Sequence, residues 1–180
     1  MLTKKTFKRK KKMDTLNLSD DQIILRATSL VERFKQLHEF AEANGIVLPE
    51  EYDATREGGY LGLHDSKRDV SHFLQAGQIL KVKDPEYDWK ETKYLVFAKK
   101  KILALLDEEF GRVFKTLGRL KIDKRYCISF SGRSPHEDEA LVILLAYQCA
   151  WIDYEKFKEI QEEIKNPYLG GKICDFLLAT

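Results

Sequence analysis

The chain is poor in the residues that mark out special classes of protein. Three cysteines among 180 residues, Cys127, Cys149 and Cys174, are odd in number, widely spaced and without a CxxC pair. That excludes a disulfide framework or a zinc knuckle as the organising device. They read instead as small buried residues of a reducing compartment. Four prolines and ten glycines are too few for a collagen-like or low-complexity chain. Long apolar runs are missing too. The longest, Ala140 to Ile152, is interrupted by Gln148 and falls short of the roughly 20 residues that cross a bilayer, so it reads as a core helix and no membrane span is expected. The basic beginning of the chain is followed by no apolar segment and no small-residue cleavage site, which argues against a secretory signal. It is rich in Lys rather than in Arg and Ser, which argues against a transit peptide. A cytoplasmic or nuclear protein that is not secreted is therefore expected. GxSxG, HExxH, Walker and GxGxxG signatures are absent as well, so no catalytic residue and no cofactor is assigned.

One further lack is local. The first twelve residues, MLTKKTFKRKKK, contain no acid and seven cations, Lys4, Lys5, Lys8, Arg9, Lys10, Lys11 and Lys12. Removing those seven from the 31 Lys and Arg leaves 24 against 29 Asp and Glu, so the rest of the chain is net acidic. A like-charged run this dense repels itself and buries too little apolar area to offset the entropy of ordering, which predicts a disordered basic arm over residues 1–13. Cations that reach phosphates release condensed counterions, giving strong, salt-sensitive, sequence-independent binding. Phe7 adds an aromatic for stacking on an unpaired base. Nucleic acid is thus the expected partner of Lys4, Lys5, Phe7, Lys8, Arg9, Lys10, Lys11 and Lys12. An import signal, a contact with anionic lipid and a solubility tail are the competing readings.

What is present in quantity, 43% hydrophobic and 33% charged residues, suits an ordinary globular body, expected as a single domain over residues 14–180. Ser19-Asp20-Asp21-Gln22 is a capping box, and Ile23, Ala27, Leu30, Val31, Phe34, Leu37 and Ala41 form an apolar stripe, predicting a helix over 20–43 ended by Asn44-Gly45. Residues 45–65, with Pro49 and four glycines, read as loop with a short strand at 60–63. Asp65 or Ser66 reads as the cap of a short helix through Val70, Phe73 and Leu74 to Ala76, closed by Gly77. A second long stripe predicts a helix over 89–117, with Lys99-Lys100-Lys101 as one turn of solvated charge. Tyr126, Ile128 and Phe130 alternate as in a strand. Ser134-Pro135-His136-Glu137 opens a third helix over 135–165, apolar nearly all round at first, with Asp153-Tyr154-Glu155 as a bend or restart and Asn166-Pro167 as its stop. The apolar tail from Ile173 to Ala179 should dock on the body. The expected fold is mainly α, an α+β arrangement with a minor sheet in which three long helices surround an apolar central helix.

Two further constellations are candidates for chemistry. Ser131, Gly132, Arg133 and Ser134 lead from a strand into a helix start, where free N–H groups, the helix dipole and a guanidinium would suit an anion. Glu137, Asp138 and Glu139 follow at once and oppose that reading by satisfying the dipole themselves. Asp65, Asp69 and His72 would share one face of the short helix, at a spacing that a divalent metal or a shared proton could use. The ordinary alternative is a solvated, ion-paired helix. Taken together, the sequence points to a non-enzymatic accessory protein of a nucleic-acid-containing assembly, its arm on phosphates and its body on a protein partner. Two alternatives are a protein interaction or inhibitor module, of viral type, with the arm as import or solubility tail, and a small metal-dependent hydrolase.

Overall fold

The structure is a computed structural model that describes residues 18–79, 93–106 and 118–179. The basic residues 1–13 therefore lie outside the described residues, as do 89–92 and 107–117 of the expected second helix. Helix α1 runs Asp20–Ala43, as its capping box requires. The Gln22 amide donates to Ser19 Oγ at 3.3 Å and the Ser19 amide to Gln22 Oε1 at 3.0 Å. Its seven buried residues are the seven of the apolar stripe. A hairpin follows, β1 Gly58–Asp65 and β2 Val70–Gly77, then helix α2 Lys93–Leu106, strands β3 Arg119–Lys121 and β4 Tyr126–Ser131, and helices α3 Pro135–Gln148, α4 Tyr154–Ile164 and α5 Gly171–Leu178.

The four strands form one antiparallel sheet in the order β2-β1-β4-β3. Alternation sends Leu61, Leu63, Ala76, Ile128 and Phe130 to one face, where they join the buried residues of α1 and α3. It sends Phe73 and Cys127 to the other face, against Ile102 and Leu105 of α2. The sheet is thus covered on both sides. Gly62 permits α2 to come close: a Cβ there would sit 2.6 Å from Ser129 Oγ, 2.9 Å from Phe73 and 3.1 Å from Ile102. Ser129 Oγ itself donates to the Ala98 carbonyl at 3.0 Å, fastening α2 onto β4.

This architecture corrects the expectation of a mainly α protein with a minor sheet. It is α+β, with five helices and a four-stranded antiparallel sheet among the described residues, 51% helical and 18% strand, and the sheet is the layer between the helices. The largest error was the short helix expected over 65–76. That segment is the hairpin, with Asp65 paired to Val70 and Leu63 to His72. Its apolar residues did not alternate because β2 meets a packed cluster on each face near its middle, so Phe73 and Leu74 are each half-buried, on opposite sides. Adjacent apolar residues in a two-sided strand imitate a helical i, i+3, i+4 pattern. The helix expected over 135–165 is two. Its chain turns at Ala150, with φ of 54°, and Asp153 caps α4 by accepting from the Lys156 amide at 2.9 Å.

Candidate functional site

Three consecutive acids at the start of α3, Glu137, Asp138 and Glu139, are almost wholly buried, at 0%, 4% and 4% exposure. Burying charge is costly unless each group is paired and hydrogen-bonded, and here each has its partner. Arg133 donates from Nε and Nη2 to Glu137 Oε1 at 3.0 and 2.8 Å, and neither side chain is exposed at all. The same guanidinium donates to the carbonyls of Asp53, at 3.0 Å, and Arg56. It lies 5.4 Å from the centroid of the Phe34 ring. Asp138 accepts at Oδ1 from the amides of Gly132 and Arg133, at 3.2 and 2.8 Å, and at Oδ2 from Lys101 Nζ at 2.9 Å. Glu139 accepts from Asn166 Nδ2 at 2.8 Å.

Burial outweighs the nearby charge of Lys101 and lifts the Asp138 carboxyl to about 6. It holds the Glu139 carboxyl above the usual range as well, against the Asn166 hydrogen bond. Lys101 also donates to the Phe130 carbonyl at 2.6 Å. The expected turn of solvated lysines on α2 is therefore not uniform, because Lys101 ties α2 to α3 and β4. The four residues singled out for an anion, Ser131, Gly132, Arg133 and Ser134, are in place before α3. Their amides and guanidinium nevertheless point inward: Gly132 and Arg133 serve Asp138, and the Ser134 amide donates to Glu137 Oε2 at 3.2 Å. The chain's own carboxylates occupy the position that an external anion would take.

Above this cluster lies a cleft of about 450 Å³ between α2 and the β4–α3 loop. Arg56, Lys93, Lys101 and Arg133 line it against one acid, Asp138, and Tyr94 and Phe97 supply its aromatic wall. Lys93 is exposed and both rings are half-buried. Sequence reasoning missed Arg56, Lys93, Tyr94 and Phe97 because only tertiary packing brings them to the β4–α3 loop. The one local signal was a cation and two rings at i, i+1 and i+4 in the first turns of α2, which places them along one side of that helix.

The proposed metal trio is dispersed by the hairpin. Arg125 grips Asp65 with both ends of its fork, Nε to Oδ1 at 2.8 Å and Nη2 to Oδ2 at 2.7 Å, and holds its carboxyl down to about 2. His72 Nδ1 pairs with Asp20 Oδ2 of α1 at 3.2 Å. Asp69 sits in the turn with φ of 53°. Asp65 and His72 do line a common cleft of about 410 Å³ with Asp20 and Arg125, but Asp69 does not. Among the described residues no three His, Cys, Asp or Glu side chains are grouped to hold a metal ion. A buried His64 bonds Ser71 Oγ through Nδ1 at 2.9 Å across the hairpin, a pair that sequence alone did not suggest.

Comparison of the chain with protein-family models, with curated proteins and with solved structures finds no match. No helix among the described residues is long and apolar enough to cross a membrane.

Proposed function

We propose that this protein is a non-enzymatic accessory factor of a nucleic-acid-containing assembly, in which residues 1–12 contact phosphates and the folded body contacts a protein partner. The observation that carries this reading is the segregation of charge: seven cations and no acid in the first twelve residues, and 24 cations against 29 acids in the remainder. A uniformly basic surface would spread its field. This chain concentrates it in one short stretch, which suits counterion release from a polyanion and leaves the body free for another contact. The buried charges add support. Arg133, Glu137, Lys101 and Asp138 are spent on one another, so their role in the body is to order the junction of α2, β4 and α3.

The test is affinity purification of the tagged full-length chain from its source cells, with and without nuclease. The proposal expects an absorbance signal at 260 nm that nuclease removes, together with a protein partner that remains bound afterwards. A partner that remains while no nucleic acid is ever recovered would instead favour an interaction module with a basic import or solubility tail.

A further inference from the structure

The geometry points to a second nucleic-acid contact: we propose that the cleft between α2 and the β4–α3 loop receives one unpaired nucleotide of a single strand. Tyr94 and Phe97 would offer the base a stacking surface, and Lys93 and Arg56 would take the flanking phosphates. This rests on the functional reading above and deepens it.

Four features of the cleft support the assignment. Its volume of about 450 Å³ falls in the range of pockets that enclose small ligands, roughly 300–1,000 Å³. Its wall pairs rings with cations, the combination by which proteins hold single strands without reading their sequence. The charges are also unequally committed. Lys101 and Arg133 are tied to Asp138 and Glu137 and serve as a fixed floor, with both oxygens of Asp138 already accepting hydrogen bonds. Lys93 is exposed, and Arg56, whose side chain keeps 37% exposure, bonds Asp53 at the rim at 3.2 Å. Finally, Lys100 Nζ lies over the Phe97 ring, 5.7 Å from its centroid, so a further ammonium stands at the aromatic wall. A duplex presents its bases already stacked and offers none to such a concave site. The cleft therefore distinguishes single strands from duplexes, whereas residues 1–12 would not.

The experiment measures binding of the full-length chain to a fluorescent 12-mer of thymidines and to a duplex of the same length, by anisotropy at fixed salt. Four variants are compared: Tyr94→Ala, Phe97→Ala, Lys93→Glu and deletion of residues 1–12. The two ring variants should each weaken single-strand binding about tenfold, the size expected for loss of one stacked base, and leave duplex binding unchanged. Lys93→Glu, at an exposed position, should weaken single-strand binding without altering the melting temperature. Deletion of residues 1–12 should weaken both. Adenosine monophosphate, titrated against the deletion variant, should compete with the 12-mer. Single-strand affinity unchanged in Lys93→Glu and in whichever ring variant keeps the wild-type melting temperature would overturn the cleft assignment while the functional reading stands. Failure of the full chain to bind either nucleic acid would overturn both.

Discussion

Arg133 should be among the most sensitive positions in the chain. In Arg133→Met the Glu137 carboxylate, fully buried, would lose both guanidinium hydrogen bonds and keep the Ser134 amide. The carbonyls of Asp53 and Arg56 would each lose a donor. An orphaned buried carbonyl costs on the order of 1 kcal/mol, and breaking a buried ion pair from one side costs about 3–5 kcal/mol in all. For a chain of this length that is a fall in melting temperature of roughly 10 °C. The pairing itself is isolated by a double-mutant cycle with Glu137→Leu, because the double variant carries no unpaired charge. A coupling of about 2 kcal/mol or more is expected from chemical denaturation monitored by circular dichroism. A cost below about 1 kcal/mol for Arg133→Met, or strict additivity of the two substitutions, would refute the buried pair as the fastening of α3 to the 53–56 loop.

The buried acids also set the pH dependence. Because burial raises the folded Asp138 carboxyl from 3.8 to about 6, the folded state binds its proton more tightly than the unfolded chain does. Its contribution to stability is therefore full below about pH 3.8 and is lost as pH rises through about 6, an effect on the order of 3 kcal/mol. Asp138→Asn should flatten the fall in stability between pH 4 and 7 measured by urea denaturation, leaving a residual slope of the same sign from Glu139; an unaltered slope would contradict this. Asp65 acts oppositely and lower, since Arg125 holds its folded carboxyl at about 2. Its stabilisation is present above about pH 3.8 and is lost as pH falls towards 2, so Arg125→Met should remove part of the acid-induced loss seen in that window. Gly62→Ala should destabilise by about 1–3 kcal/mol through overpacking against Ser129, Phe73 and Ile102. A melting temperature equal to or above that of the parent would show that α2 does not press on β1 there.

Helix α1 was legible to the residue because cap, stripe and stop agree, and each acts within a few positions of the chain. Strand β4 was legible through the alternation of Tyr126, Ile128 and Phe130, and the start of α3 through Ser134-Pro135. The hairpin was not. Phe73 and Leu74 are half-buried against opposite faces of the sheet, and nothing in the local pattern reveals that α2 covers the second face. That error removed the premise of the metal trio, since Asp65, Asp69 and His72 share a face only if the segment is helical. At Arg133 the donors singled out for an anion are taken by two of the three acids noted as opposing one, Glu137 and Asp138, while Glu139 turns to Asn166. Tyr94 and Phe97 drew no reading from the sequence, because their cleft depends on a loop that the chain reaches only after two further strands.

The central claim, that residues 1–12 carry the electrostatic contact with nucleic acid, is tested most directly by the salt dependence of duplex binding in the full chain and in residues 13–180. Each phosphate neutralised contributes a slope of about −0.9 in log K against log salt. Deleting the seven cations should therefore flatten the slope by several units, up to about 6, and lower affinity most at low salt. Equal affinity and an unchanged slope for the two forms would contradict it.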